Sequence, residues 1–206
     1  MATAQFWDKE ATKYAASPIK DISAYEETLT CTRSYLDTSD HVLEVGCGTG
    51  STAIKLAPAV KRITATDISG KMLEIAQKKI APTGPHNIDF VQSDITAPFA
   101  GAPFDAICAF SILHLVDDLD QTLAHLQMQL KPGGVLISKT SCLDDMNFLI
   151  KPMIKAMQFI GKAPHVLVFD ANALEAAFRK AGFEVVEAGY FGKHTSTRFI
   201  VARKPA

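Results

Sequence analysis

The stretch His41-Val42-Leu43-Glu44-Val45-Gly46-Cys47-Gly48-Thr49-Gly50-Ser51 decides the fold of this chain. Its apolar first half predicts a short buried strand, and the residues from Ser51 onward predict the start of a helix. A strand, a glycine turn and a helix in succession are typical of the first βαβ unit of a nucleotide-binding domain. Glycine permits the tight turn, and its missing Cβ lets the backbone approach a ligand closely.

The spacing of these glycines separates two kinds of ligand. A dinucleotide-binding turn places its third glycine three residues after the second, where this chain has Ser51. Gly50 instead follows Gly48 by two residues, so the usual pyrophosphate-binding pattern is absent. Glu44, near the end of the strand, would attract a cationic amine and repel a phosphate. A glycine turn in an ordinary α/β protein and a NAD-type site are the alternatives that this stretch leaves open.

The segment Glu44–Gly50 resembles motif I of the class I S-adenosylmethionine-dependent methyltransferases. The leader, with Phe6-Trp7-Asp8-Lys9, Tyr14 and Ile19-Lys20-Asp21, resembles that of the small-molecule methylases that include the ubiquinone and menaquinone enzymes. The run Leu130–Ile137 is similar to the family's stop before its fifth strand. The resemblance extends from about Phe6 to the C-terminus. It implies transfer of a methyl group from S-adenosylmethionine to a small molecule.

Asp67 is the candidate for binding the ribose of that cofactor. It ends the predicted strand that begins at Arg62 and lies 21 residues after Gly46, the separation at which a βαβ unit brings a carboxylate to a ribose diol. A helix N-cap is the alternative role. Ser69 is better placed to cap the helix that follows, which leaves Asp67 for the ribose.

The third predicted strand, Asn87–Gln92, leads to a candidate adenine site. In the resembling family, the acid that matches Asp94 accepts the adenine amino group, and the next backbone amide, that of Ile95, meets a ring nitrogen. One acceptor beside one donor suits a purine edge. A turn residue is the alternative for Asp94.

The fourth predicted strand, Pro103–Phe110, brings Ser111 and His114 to the cleft expected at the carboxyl ends of the strands. His114 is the candidate catalytic base, and a satisfied, partly buried histidine is the alternative. A base is needed only if the acceptor carries a proton that must leave. A helix over Val116–Leu130 and a fifth strand over Val135–Thr140 are predicted next.

Two segments lie outside the repeating pattern. Residues 1–38 predict an aromatic helical arm, divided at Ser17-Pro18, that serves either as packing or as a lid over the cofactor. Residues 142–169 predict a helical insert that runs from Phe148 to Ile160 with Pro152 near its start. Because this helix is apolar around much of its circumference, it needs a partner: the core, the lid, a second subunit, an apolar substrate or a membrane surface. Met153 and Met157 in this insert are candidates for contacting a partly apolar acceptor.

The last part of the chain predicts a helix, Ala171–Ala181, and two β-rich segments, Phe183–Tyr190 and Arg198–Ala202. Their separation is too short for a helical crossover, so we expect them to pair antiparallel. The predicted fold is therefore a single Rossmann-like α/β domain over residues 1–206. It has seven mainly parallel strands, an antiparallel last strand, and helices on both faces.

Composition narrows the class of protein. With 21 basic and 22 acidic residues the chain has a net charge of -1, which gives no electrostatic footprint for nucleic acid. The four cysteines are scattered and lack CxxC spacing, which favours reduced thiols in a cytoplasmic protein and no metal site. No basic-and-apolar leader and no run long enough to cross a bilayer is visible, so stable membrane insertion is not expected. A homodimer is possible.

Motif and resemblance together imply a site with one candidate catalytic residue, His114, and no metal ligand. The implied cofactor-binding residues are Glu44, Gly46, Cys47, Gly48, Gly50, Asp67, Ile68, Met72, Asp94, Ile95, Phe110, Ser111, Tyr14 and Tyr25. A non-catalytic S-adenosylmethionine-binding protein would keep the same cleft without turnover. A NAD-dependent oxidoreductase would share the βαβ unit, but it would need a pyrophosphate loop that this chain lacks.

Overall fold

The computed structural model describes residues 3–80, 84–146, 150–192 and 196–206. Within these ranges, seven strands form one sheet in the order β3-β2-β1-β4-β5-β7-β6. The strands are β1 His41–Val45, β2 Arg62–Asp67, β3 Ile88–Gln92, β4 Phe104–Phe110, β5 Leu130–Ser141, β6 Glu184–Gly189 and β7 Thr197–Arg203. The pairs among β1 to β5 are parallel, whereas β7 pairs antiparallel with both β5 and β6. The predicted mainly parallel sheet with an antiparallel last strand is confirmed.

Seven α-helices surround the described part of the sheet: α1 Ala4–Ala16, α2 Ile22–Arg33, α3 Ser51–Leu56, α4 Gly70–Lys79, α5 Leu119–Met128, α6 Ile150–Phe159 and α7 Ala171–Lys180. The arm divides between α1 and α2, as Ser17-Pro18 predicts. None of the described helices is both long and apolar enough to cross a membrane.

Three predicted boundaries differ from the structure. Helix α5 begins at Leu119, not at Val116, because the Asp118 carboxylate caps it by accepting a hydrogen bond from the Gln121 amide at 2.9 Å. Strand β5 begins at Leu130, not at Val135, because the Pro-Gly-Gly segment forms an irregularity within its ladder with β4. Helix α6 is described from Ile150; Phe148 and Leu149, where the prediction placed its beginning, lie outside the described residues.

The position of β1 determines where a ligand can bind. β1 pairs with β2 on one side and with β4 on the other, so the strand order reverses there. A reversal of this kind opens a crevice at the carboxyl ends of the two strands. Gly46 follows β1 and Ser111 follows β4, so both residues border that crevice.

Two apolar clusters hold helices to the two faces of the sheet. Successive β1 side chains point to opposite faces: Leu43 joins a cluster with Leu123 of α5 and Phe178 of α7, and Val42 joins one with Leu29 of α2. Glu44 points to the same face as Val42, so its carboxyl group is buried with only 3% of the residue exposed.

Candidate active site

The glycine turn approaches the crevice through backbone conformations that favour glycine. Gly46, Gly48 and Gly50 have φ angles of 66°, 54° and 70°. A Cβ on Gly46 would lie 2.9 Å from the Ile112 side chain, so packing also requires glycine there. A Cβ on Gly48 would meet nothing closer than the Tyr14 ring at 3.7 Å. Space is therefore left beside Gly48, between the turn and the arm, where a ligand can contact the backbone.

Asp67 joins this turn to the beginning of α4. Its carboxylate accepts hydrogen bonds from the Gly48 amide at 2.8 Å and from the Ser69 amide at 2.9 Å. Burial raises the pKa of Asp67, and these two backbone hydrogen bonds oppose that effect. The Ser69 hydroxyl caps α4 by accepting from the Met72 amide at 3.1 Å, as the sequence predicts. Each Asp67 oxygen keeps capacity for a further donor, which is what a ribose diol supplies.

A cavity of about 470 Å³ occupies the crevice. Ten of the predicted site residues line it: Tyr14, Gly46, Gly48, Asp67, Ile68, Met72, Ile95, Phe110, Ser111 and His114. Twelve further residues complete its walls: Trp7, Thr66, Ser93, Ile112, Leu115, Val116, Ser141, Leu143, Ile154, Ala163, Pro164 and Val166. A volume between about 300 and 1,000 Å³ and a mostly apolar lining with few polar groups are typical of small-molecule sites.

A second cavity of about 400 Å³ lies on the arm side of the glycine turn. The predicted site residues Glu44, Cys47 and Tyr25 line it, together with Lys79 and Lys139. Four residues, Tyr14, Gly46, Phe110 and Ser111, line both cavities, so the two spaces adjoin along the turn.

Two predicted cofactor residues lie outside the walls of both cavities. The Asp94 carboxylate accepts from the Thr96 amide at 2.9 Å and from the Thr96 hydroxyl at 2.8 Å, which is the geometry of the alternative turn role. Its neighbours Ser93 and Ile95 line the larger cavity instead. A Cβ on Gly50 would lie 2.8 Å from the Phe90 ring, so Gly50 serves the packing of the turn.

The insert also differs from its predicted orientation. Met153 and Met157, predicted to contact an acceptor, are 54% and 37% exposed and do not line the cavity. Ile154 is the α6 side chain that lines it. The sequence pattern did not indicate which side of α6 faces the sheet, because the helix is apolar around most of its circumference. Trp7 was also missed as a site residue, although the Phe6-Trp7-Asp8-Lys9 leader was an available signal.

Glu44 carries a buried polar atom without a partner. Its Oε2 has no hydrogen-bond partner among the described residues, and burial, with the Asp67 charge next in size, raises the pKa of Glu44 to about 8. The carboxyl group is therefore mostly neutral at pH 7. A cationic group in the second cavity would favour its ionised form, so Glu44 suits the ammonium group of an amino acid as a hydrogen-bond acceptor.

His114 is a histidine that lines the larger cavity. It belongs to the 3-10 turn Leu113–Leu115, and its Nδ1 is buried with no hydrogen-bond partner among the described residues. Burial lowers the pKa of His114 to about 4, so the ring is neutral at pH 7. Its backbone oxygen accepts from the Leu167 amide at 2.8 Å, which attaches the segment after α6 to this turn. The Nδ1 atom is therefore a buried polar atom that no group in the described ranges satisfies.

Comparison with known proteins gives the family. A family model described as a methyltransferase domain matches residues 8–188, so the chain belongs to the methyltransferase-domain family. Demethylmenaquinone methyltransferase of Lactococcus lactis is 31% identical over 184 residues, which cover 76% of this chain and 73% of that protein. An uncharacterised methyltransferase of Mycobacterium tuberculosis is 38% identical over 96 residues, covering 46% and 47% of the two chains.

A solved structure shows the same fold over the whole chain. The N-methyltransferase NodS of Bradyrhizobium japonicum, in complex with S-adenosylhomocysteine, has a TM-score of 0.73 at 20% identity and covers 100% of both chains. The resemblance to class I methyltransferases and to the ubiquinone and menaquinone family is confirmed. The chain is an S-adenosylmethionine-dependent methyltransferase, and S-adenosylmethionine is its cofactor.

Proposed function

We propose that this methyltransferase transfers the methyl group to a small, at least partly apolar molecule held in the larger cavity. One observation carries the proposal: the lining of this cavity combines the polar Asp67 and the glycine turn with the apolar side chains of Leu115, Leu143 and Ile154. Asp67 suits a cofactor ribose, and an acceptor with an apolar body would bury it against these apolar side chains.

The cofactor would bind along both cavities. Asp67 would accept from the ribose hydroxyls, and Ser93 and Ile95 lie where the adenine would be held. The amino-acid end would extend into the second cavity, towards Glu44. When bound, S-adenosylmethionine supplies a methyl group on a positively charged sulfur, which is already a good electrophile.

The residues of the chain then need to align the acceptor with that methyl group in line and to exclude water. His114 would contact the acceptor because it lines the cavity, and a turn of its ring would let the unpartnered Nδ1 accept a hydrogen bond or a proton from an acceptor hydroxyl. The low pKa of His114 keeps the ring free to do so at neutral pH. Its role would be to hold and orient the acceptor, with proton removal only from an acidic hydroxyl.

The arm would close the cavity over its ligands. Trp7 and Tyr14 of α1 line the cavity, and their rings meet edge to face with centroids 6.5 Å apart. The Asp8 carboxylate fixes α1 to the beginning of α4, accepting from the Ser69 hydroxyl at 2.6 Å and from the Lys71 amide at 3.2 Å. This attachment next to Asp67 supports the predicted lid role of residues 1–38.

A cytoplasmic location without a nucleic-acid partner belongs to the same proposal. The four cysteines, Cys31, Cys47, Cys108 and Cys142, are free thiols. No group of three or more acidic, histidine or cysteine side chains in the described ranges could hold a metal ion.

Calorimetry followed by a turnover screen tests the proposal. We expect binding of S-adenosylhomocysteine and no binding of NAD. Small phenols and naphthols would then be screened with S-adenosylmethionine for release of S-adenosylhomocysteine. For an acceptor found in this way, His114→Gln should lower kcat while leaving S-adenosylhomocysteine affinity unchanged. Ile154→Ala should raise the acceptor KM, whereas the outward-facing Met153→Ala serves as the matched control. Cofactor binding without turnover on any acceptor would favour the non-catalytic alternative.

A further inference from the structure

The outward side of α6 forms a continuous apolar surface. Met153, Met157, Phe159 and Ile160 are 54%, 37%, 93% and 59% exposed. At 3.6 residues per turn, Met153 and Met157 lie on one side of the helix beside the exposed Pro152 and Ala156, and Phe159 and Ile160 extend the exposed apolar surface at the C-terminal end of α6. Ile154 instead lines the cavity. Exposed apolar patches of this kind mark contact with a protein or a membrane.

The charge of the same segment restricts what can cover this surface. From Met146 to Phe169 the sequence contains Lys151, Lys155 and Lys162 and no acidic residue, in a chain whose net charge is -1. Lys155 and Lys162 are exposed, and Lys151 forms an ion pair with Asp144, just outside the segment. An exposed apolar helix side flanked by lysines, with no carboxylates, is typical of helices that lie in a membrane interface.

We propose that α6 and the turn after it bind the surface of an anionic lipid bilayer. Phe159, Ile160 and Met153 would enter the boundary between headgroups and acyl chains, while Lys155 and Lys162 would contact lipid phosphates. A second copy of the chain is a less suitable partner. A two-fold contact through this surface would bring the same lysines together without a carboxylate from the segment to neutralise them.

The connections of α6 to the sheet would place the cavity next to the bilayer. Pro164 and Val166 of the following segment line the cavity, and the Leu167 amide is bonded to the backbone of His114. Bilayer binding by α6 is nevertheless independent of which acceptor the cavity holds. The two can therefore be tested separately.

Sedimentation with sucrose-loaded vesicles tests the inference in the absence of any acceptor. We expect the protein to sediment with vesicles that contain phosphatidylglycerol, to bind pure phosphatidylcholine much more weakly, and to be released by added salt. Phe159→Ser combined with Ile160→Ser should weaken binding at least about tenfold. Met128→Ser, at a 65% exposed position in α5, is the matched control and should have no effect.

The lysines need their own pair of variants. Lys155→Gln combined with Lys162→Gln should lower affinity for the anionic vesicles by roughly fivefold for each lysine removed. Lys61→Gln combined with Lys78→Gln removes two exposed lysines from elsewhere on the surface and should change the affinity much less. Thermal unfolding should be unchanged in all variants because these side chains are exposed, and S-adenosylhomocysteine binding should be unchanged because none of them lines either cavity.

Three results would overturn the inference. The first is absence of sedimentation with anionic vesicles, and the second is equal sedimentation of the wild type and the Phe159→Ser, Ile160→Ser variant. The third comes from gel filtration without lipid: a dimer that is lost in this variant would show that a second copy covers the surface. If the wild-type protein bound anionic vesicles but transferred no methyl group to any screened acceptor, the proposed function would be contradicted and the bilayer inference would stand.

Discussion

The carboxylate of Asp67 accepts a hydrogen bond from the backbone amide of Gly48 at 2.8 Å. The end of β2 therefore holds the glycine turn after β1, and a second bond from the Ser69 amide holds the beginning of α4. The turn is shaped by the protein itself before a ligand contacts it. Preorganisation of this kind reduces the conformational entropy lost on binding.

Replacing Asp67 tests both of its roles. Asp67→Ala removes the acceptor for the ribose and the bonds to two backbone amides, each worth roughly 1.5–3 kcal/mol when the acceptor is charged. We expect calorimetry to show S-adenosylhomocysteine affinity at least about tenfold lower. Asp89→Ala, which breaks only the exposed ion pair with Arg62 in the neighbouring strand, is the control and should bind normally. Unchanged affinity in Asp67→Ala would assign the residue to structure alone.

Gly48 and Gly133 offer a matched pair of positive-φ glycines. Their φ angles are 54° and 78°, and a Cβ would meet nothing within 4 Å at Gly133 and only the Tyr14 ring at Gly48. Alanine at either position should lower the free energy of unfolding by about 1–2 kcal/mol, because L residues are strained there. Only Gly48→Ala should also weaken S-adenosylhomocysteine binding, by at least about tenfold, since its methyl group would enter the space beside the turn. Similar affinity in the two variants would remove Gly48 from the binding surface.

Glu44 predicts a pH dependence of stability. Its pKa is raised from about 4.5 to about 8, so the native protein keeps a proton that the unfolded chain releases. The free energy of unfolding should therefore fall as pH rises between these two values. Glu44→Gln removes this dependence. The free energy of unfolding of the wild type minus that of the variant should therefore increase as pH falls from 8 to 5. Urea unfolding from pH 5 to 8 measures it.

Comparing the wild type with Glu44→Gln also controls for the other groups that titrate in this pH range. The lowered pKa of His114 makes stability rise with pH between about 4 and its ordinary value of 6.5, but it does so in both proteins. Subtracting the two profiles therefore isolates Glu44. Parallel profiles would contradict the raised pKa of Glu44.

The hydrogen bonds of Asp8 to the beginning of α4 should hold α1 against the sheet domain. Asp8→Ala removes the bonds from the Ser69 hydroxyl and the Lys71 amide, so α1 should separate from α4 more often. We expect trypsin to cleave after Lys13 and Lys20 several-fold faster, by rates measured from mass spectra of the digest. Glu10→Ala, which removes only an exposed ion pair with Lys13, should be cleaved at Lys20 at the wild-type rate. Equal cleavage of Asp8→Ala and wild type would show that other contacts hold the arm.

The order of elements followed from local patterns in the sequence. Three such patterns depend only on adjacent residues: the alternation in Arg62–Asp67, the glycine turn and the Ser17-Pro18 break. The structure has an element boundary at each of them. The beginnings of α5 and β5 differ from the prediction for different reasons. Asp118 caps α5 by accepting from the Gln121 amide, which is a local N-cap signal that the prediction did not use. Pairing with the distant β4 extends β5 back to Leu130, and that depends on tertiary structure and not on the local run.

The walls of the site were only partly predictable for a similar reason. Gly48, Asp67 and Ile68 lie at or just after the carboxyl ends of β1 and β2, so motif spacing indicated their positions. Trp7 and Ile154 come from two segments outside the repeating pattern that pack over the crevice. The leader motif was a signal for Trp7, whereas nothing in the local sequence indicates that Ile154, and not Met153, turns inward. For Asp94 the motif gave a clear position but not the direction of the side chain, because its carboxylate accepts a hydrogen bond from the Thr96 amide.

The strand order has a consequence for folding during synthesis. Strand β6 is hydrogen-bonded only to β7, and β7 alone connects it to β5. Because β7 follows β6 in the chain, β6 leaves the ribosome before any partner strand exists for it. β5 likewise keeps one edge unpaired until Thr197–Arg203 emerges. The nascent chain therefore presents an open sheet edge until β7 has emerged, and until then that edge is exposed to aggregation and to chaperones.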